Sequence, residues 1–243
     1  MNALEIKKLV KHFDGVYAVD NLSLAIEKGK IAAVIGPNGS GKTTLINLIS
    51  GIVPIDSGVV IINGVGARAI KPYNVPAYGI TRTFQEVRLF NQMTVIDNIL
   101  VVLTERNVFG ALFEKHSAHH LKRVEEVLIK VGLWEKRSAL AQSLSYGQRK
   151  LLEIGRALAM DSEVFLLDEP FAGLFPEMLK IMVAAVKDLR ASGKTVVLIE
   201  HNMDLIRELA DHVVVLDSGK LLAEGKSEEV LSRPEVMEAY LGE

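Results

Sequence analysis

Apolar positions along the chain follow two periods. Four short runs are apolar at nearly every position: IAAVIG (31–36), VFLLDEP (164–170), TVVLIEH (195–201) and HVVVLDSG (212–219). Continuous apolar runs this short, each closed by a glycine or a charge, predict strands buried on both faces. Between them the spacing is helical. Met178, Ile181, Met182, Ala185 and Leu189 recur on one face of 177–191, and NMDLIRELA (202–210) predicts a short amphipathic helix. Leu121, Val124, Val127, Leu128 and Val131 predict another buried face, ending at Gly132. Strands alternating with helices predict an α/β fold with a mostly parallel sheet.

Such sheets bind ligands at the carboxyl ends of their strands. Polar residues collect at those ends here: the loop after Ile35, the pair Asp168-Glu169, and His201. Two regions break the alternation. The first thirty residues and GVVIING (58–64) read as strands of a separate antiparallel sheet, and residues 86 to about 160 read as a helical insertion. The expected division is therefore 1–85 with 161–243 as core plus antiparallel sheet, and 86–160 as the helical subdomain.

Composition narrows the classes. With 243 residues and 49% hydrophobic content, a packed core is expected. Lys+Arg total 28 against Asp+Glu 30, a net charge of -2, which argues against a dedicated nucleic-acid binder. There is no cysteine, so no disulfide and no thiolate metal site. The N-terminus lacks the apolar core of a signal peptide, and no apolar run approaches the ~20 residues that span a bilayer. A cytoplasmic protein is expected, with any membrane role supplied by a partner.

Gly36-Pro37-Asn38-Gly39-Ser40-Gly41-Lys42-Thr43 matches G-x-x-x-x-G-K-[ST] in full. Glycines let the backbone wrap phosphates with its N–H groups inward, Lys42 reaches the β- and γ-phosphates, and the Thr43 hydroxyl suits Mg²⁺. At the end of the second strand, Asp168 suits Mg²⁺ through water and Glu169 suits activation of a nucleophilic water. His201 is a surface histidine or a γ-phosphate sensor. Gln85, in TRTFQ, is a polar loop residue or part of the site, and Phe13 is a core residue or a stacking face for adenine. His116, His119 and His120 lack the spacing of a metal set and read as a solvated surface. About a hundred residues after the phosphate loop, Ser145 and Gln148 in LSYGQRKLLEIGRAL form an S-x-x-Q capping box before a helical pattern. A helix start is itself an anion site, so the chain carries two of them far apart in sequence.

The order GPNGSGKT, Gln85, LSYGQ, VFLLDEP, His201 resembles the ABC transporter ATPase subunits along essentially the whole chain. The resemblance implies a RecA-like P-loop NTPase core with an antiparallel β subdomain and an inserted helical subdomain. It implies that Phe13 stacks on adenine and that Gly36 to Thr44, including Thr44 itself, form the Walker A loop. Gln85 would touch Mg²⁺ and water beside the membrane-subunit contact, Ser145, Gly147 and Gln148 would form the signature motif, Asp168 and Glu169 would be Walker B and the catalytic carboxylate, and His201 the switch histidine. GITRTFQEVRLFNQMTVIDNILV (79–101), LSYGQRKLLEIGRALAM and the ending PEVMEAYLGE are similar to the ATPases of branched-chain amino acid importers, with lipopolysaccharide-export and urea or amide systems close by.

The implied partners are transmembrane permease subunits and a second ATPase subunit, identical or paralogous, closing on two ATP molecules with Mg²⁺. Neither nucleic acid nor the transported solute is expected to touch this chain. The implied location is the cytoplasmic face of the cell membrane. A soluble ABC ATPase acting on DNA or ribosomes would carry a second ATPase unit or a long coiled coil, and a non-hydrolysing scaffold would lack Glu169 or His201. A small-molecule kinase has no use for LSYGQ. Two departures stand out. Phe175 replaces a small polar residue after Ala172-Gly173-Leu174, so it either packs across the dimer or alters communication between sites. Tyr146 stands where many relatives have Gly, so its ring turns away from phosphate or lies against the partner.

Overall fold

The computed structural model describes residues 1–103 and 118–241. They divide into two compact units: Met1–Arg82, Ser162–Glu169 and Lys187–Glu243 in the first, Thr83–Asp161 and Pro170–Val186 in the second.

In the first unit, β1 (Asn2–Phe13) and β2 (Val16–Glu27) form a hairpin. Its two-residue turn, Asp14-Gly15, has φ of 46° and 88°, the double positive φ that Asp-Gly supplies most readily. β3 (Ile31–Ile35) feeds α1 (Lys42–Ile49), and β4 (Ser57–Ile62) and β5 (Val65–Ala67) follow. β1, β2, β4 and β5 make an antiparallel sheet in the order β2-β1-β4-β5. The second sheet takes β6 (Ile80–Arg82), β7 (Val164–Asp168), β8 (Thr195–Ile199), β9 (His212–Asp217) and β10 (Lys220–Gly225), in the order β10-β9-β3-β8-β7-β6. Every pair in it is parallel except β9–β10.

Period-two alternation splits the central strands between two cores. Ala32, Val34, Val214 and Leu216 face a core shared with α1 and the antiparallel sheet. Ala33, Ile35, Val213 and Val215 face Ile206, Val230 and Val236, which lie on α6 (Met203–Leu209), α7 (Ser227–Val230) and α8 (Pro234–Leu241). Both faces covered is the condition for strands that read as unbroken apolar runs.

The second unit holds α2 (Val95–Leu103), α3 (Ala118–Lys130), α4 (Tyr146–Ala159) and the first part of α5 (Pro176–Ala191). Val124, Val127, Leu128 and Val131 are buried as the pattern requires. Gly132 ends the run at φ 69°, and Leu133 N–H donates to the Leu128 carbonyl at 2.8 Å. Leu121 corrects the expected face: it is 46% exposed. Helical spacing identifies a face but not how far along the helix the neighbouring packing extends, and here the buried stripe begins one turn later. His116 lies outside the described residues. His119 and His120 open α3 with their rings 6.2 Å apart.

The tip of β1 is pinned by Asp56, whose Oδ1 lies 2.7 Å from Lys11 Nζ and whose Oδ2 accepts from His12 N–H at 2.9 Å. The Lys11 ammonium, then the His12 N–H, hold the Asp56 carboxyl down from its ordinary 3.8 to about 2. A depressed folded-state value stabilises the protein above the unfolded value and stops doing so as pH falls through the folded one. Thermal melts between pH 5 and pH 2 are therefore expected to lose a contribution below about pH 4. The Asp56→Asn variant should lack that contribution throughout and show a flatter profile over the same interval.

Candidate active site

The phosphate loop leaves β3 at Gly36 and enters α1 at Lys42. Its glycines answer to a packing constraint as well as a conformational one. A β-carbon at Gly36 would lie 2.0 Å from the Leu216 carbonyl oxygen, and one at Gly41, where φ is 100°, would lie 2.3 Å from that of Ala18. The loop thus presses its back against β2 and β9. Ser40 completes the seat by accepting from Gly219 N–H through its carbonyl at 3.1 Å. Asn38 and Gly39 are exposed, Pro37 is half-buried, and Thr43 and Thr44 open the helix with Thr43 exposed. Lys42 is 6% exposed, and its ammonium donates to the carbonyl oxygens of Gly36 at 2.7 Å and Pro37 at 2.8 Å, with Ser40 Oγ at 3.4 Å. One cation therefore closes the loop on itself.

The neighbouring strand ends lie on the same edge, because Ile199 is the register partner of both Val34 and Asp168. Asp168 is buried and ion-paired to Arg82, Nη2 to Oδ2 at 3.2 Å. Arg82 also donates to Asn47 Oδ1 and Ser50 Oγ on α1 and its cap, both at 2.7 Å. Sequence reasoning missed Arg82. The available signal was a lone charge ending a short apolar stretch, GITR. Glu169 turns the chain at φ 47°, a costly conformation for a residue with a β-carbon, and its N–H donates to the Ile199 carbonyl at 3.0 Å. This bend leaves its side chain partly accessible, with His201 Nε2 3.3 Å from Oε1. The turn carrying His201 is held by Glu200, a buried carboxylate whose Oε2 accepts from the N–H groups of His201 at 2.8 Å and Asn202 at 3.0 Å. Glu200 was legible only as the neighbour of the histidine. Phe13 stands at the hairpin tip, 45% exposed, with the Lys11 ammonium 5.0 Å from its ring centre.

The second unit contributes its own set. Gln85 is exposed on an irregular segment. At the start of α4 the capping box forms in both directions: Ser145 Oγ accepts from Gln148 N–H at 3.3 Å, and Gln148 Oε1 accepts from Ser145 N–H at 3.1 Å. Ser145 is exposed, Gly147 buried and Gln148 half-buried. A β-carbon at Gly147 would meet Met178 Sδ at 2.3 Å, which explains the glycine there. The Tyr146 ring lies on its own chain, where a β-carbon at Gly173 would be 3.0 Å from Tyr146 Cε1. Phe175, two residues beyond, is 76% exposed.

The sequence profile of the ABC transporter family matches residues 19–172, well over half of the chain. The chain belongs to the ABC transporter family. A second profile, that of the branched-chain amino acid ATP-binding cassette transporters, matches residues 220–243. The chain is 37% identical to the probable branched-chain amino acid transport ATP-binding protein LivG of Archaeoglobus fulgidus over 100% of its own length and 96% of the relative's. It is 35% identical to the high-affinity branched-chain amino acid transport ATP-binding protein BraF of Pseudomonas aeruginosa, covering 99% and 98% of the two chains. Among solved structures, the ADP conformation of an ATP-binding cassette from an ABC transporter aligns with a TM-score of 0.87 at 35% identity over the full length of both chains. A dimeric post-hydrolysis cassette bound to ADP and Pi aligns with a TM-score of 0.79 at 26% identity, covering 92% of this chain and 98% of that one. The protein is thus an ATP-binding, ATP-hydrolysing subunit with the P-loop NTPase fold of ABC cassettes. Among the described residues, no helix is long and apolar enough to cross a membrane.

Proposed function

We propose that this subunit hydrolyses ATP on the cytoplasmic face of the membrane to drive import of branched-chain amino acids through permease partners. The placement of Glu169 against His201, 3.3 Å apart on the strand edge next to the phosphate loop, carries the catalytic part of the reading. Full-length similarity to branched-chain amino acid transport proteins supports the substrate.

The donors in the first unit fit Mg²⁺: the Thr43 hydroxyl and the Asp168 carboxylate are hard oxygen ligands, and Asp168 already sits among compensating charge from Arg82. Thr43 and Asp168 would hold the ion, with Gln85 as a further oxygen ligand. When bound, Mg²⁺ supplies neutralisation of charge on the β- and γ-phosphate oxygens. Phe13 offers its exposed face to adenine. Backbone N–H groups of the loop and the Lys42 ammonium take the phosphates. Glu169 orients a water in line with the γ-phosphorus and accepts its proton, while His201 donates to a γ-phosphate oxygen. Ser145 and the first-turn N–H groups of α4 face the γ-phosphate held by a second ATPase subunit. That phosphate then bridges two subunits, and its loss on hydrolysis is the differential contact that reopens the dimer.

Reconstituted with its permease in proteoliposomes, the subunit is expected to hydrolyse ATP faster when leucine, isoleucine or valine is delivered to the opposite face, and not when urea is. Stimulation by urea instead would replace the substrate while leaving the ATPase intact. Failure to co-purify with any permease would remove the transport role.

A further inference from the structure

The segment after Gln85 has no regular structure over residues 85–90, yet its backbone is held at two points from the side. Glu153 and Arg156 lie one turn apart on α4. Glu153 Oε1 accepts from Arg88 N–H at 3.3 Å, and Arg156 Nη1 donates to the Arg88 carbonyl at 2.5 Å. Both backbone polar groups of one residue are thus taken by a carboxylate and a guanidinium of the same helix. The Phe84 N–H also serves Glu153, so the clip grips both sides of Gln85 and its neighbour. Asn98 on α2 repeats the device at Phe90, accepting from its N–H at 3.0 Å and donating to its carbonyl at 3.1 Å. The rings follow suit. The Arg156 guanidinium lies 5.1 Å from the Phe90 ring centre, and the Arg88 guanidinium lies 3.8 Å from that of Phe84.

Buried carboxylates are retained where donors satisfy them. Glu153 is 9% exposed, one turn from Lys150, which is 3% exposed, and beside Leu151, Leu152 and Ile154 in sequence. A charge that costs desolvation, paired with a second charge at the next turn, needs a task that only hydrogen bonding performs. Backbone groups are the target, so the clip fixes the path of the chain whatever side chain stands at 88.

We propose that Glu153 and Arg156 are positioning residues that clip the chain on either side of Gln85 to the signature helix, so that Gln85 and Ser145–Gln148 move as one body. This rests on the role proposed for Gln85. Conformational change that shifts α4 then necessarily shifts Gln85, and the reverse, with no further element needed between them.

The test uses the full-length protein and two readouts. Glu153→Ala and Arg156→Ala are expected to speed amide hydrogen exchange across 84–90 by about tenfold, the effect of losing local hydrogen bonds worth ~1.4 kcal/mol. Both should also raise the Mg²⁺ concentration that half-saturates ATP hydrolysis by about tenfold, the lower end for residues that orient a metal ligand. Glu153→Gln keeps the acceptor oxygen and should return both readouts toward wild type. Added to Gln85→Ala, Glu153→Ala should not change the Mg²⁺ requirement further, because both act through one group. Nucleotide affinity without Mg²⁺ reports on the phosphate loop in the other unit and checks that the variants fold. Unchanged exchange across 84–90, or additive Mg²⁺ effects in the double variant, overturns the proposal. If Gln85→Ala alone leaves the Mg²⁺ requirement unchanged, the role of Gln85 falls, and the exchange readout still decides whether the clip exists.

Discussion

Glu169→Gln is expected to bind ATP as the wild type does, to lose turnover by about a thousandfold, and to accumulate closed dimers. The side chain sits at the end of β7 on a backbone bent to φ 47°, fixed by the bond from its N–H to the Ile199 carbonyl, with His201 Nε2 3.3 Å away. Glutamine fits the same volume and offers an oxygen to the same histidine, so neither the bend nor the neighbours need change. What it cannot do is accept a proton from water. The strain at this position argues the same way. A positive φ outside glycine costs of order 1–3 kcal/mol and persists where the surroundings enforce it. Here the enforcement delivers a carboxylate to the edge of the sheet beside the phosphate loop. Steady-state phosphate release and size-exclusion chromatography with ATP and Mg²⁺ measure both halves of the expectation. Wild-type turnover in the variant removes Glu169 from the chemistry.

The central sheet was legible because its strands obey a local rule. IAAVI, VFLLD, TVVLI and HVVVLD are buried on both faces, so each reads as an unbroken apolar run that needs no knowledge of its neighbours. β6 was not legible. Three residues, Ile80–Arg82, carry no period, and they become a strand only by pairing with Val164–Leu166 far along the chain. Arg82 was lost with it, and so was the ion pair that compensates Asp168, since its partner lies 86 positions away. The capping box at Ser145 and Gln148 was legible because cap chemistry is confined to four residues. The Tyr146 ring was not, because its place is set by Gly173, a residue whose lack of a side chain leaves room that no motif announces. Glu153 shows the same limit. In sequence it is one charge in an amphipathic helix, and only the fold reveals a backbone on the other side of it.

Lys42→Ala is expected to weaken ATP binding by about ten- to a hundredfold, the range for losing a charge-assisted hydrogen bond worth ~1.5–3 kcal/mol. It is also expected to lower the melting temperature of the protein without nucleotide. The second effect follows from the self-closure of the loop. The ammonium is 6% exposed and donates to the Gly36 and Pro37 carbonyls at 2.7 and 2.8 Å, so it holds the loop in shape as well as reaching for phosphate. Removing it strands two carbonyl oxygens and opens a gap beneath the turn. The two roles separate by ligand. A lysine that meets the β- and γ-phosphates should matter much less for AMP, which has neither. A lysine that only shapes the loop should weaken ATP and AMP alike. Lys42→Met, which keeps most of the volume and loses the charge, should recover part of the melting temperature and none of the ATP selectivity. Calorimetric titration with ATP, ADP and AMP beside thermal melts makes the distinction. Equal losses for ATP and AMP would leave Lys42 a loop-shaping residue and transfer recognition of the outer phosphates to the backbone N–H groups of Gly39 to Thr44.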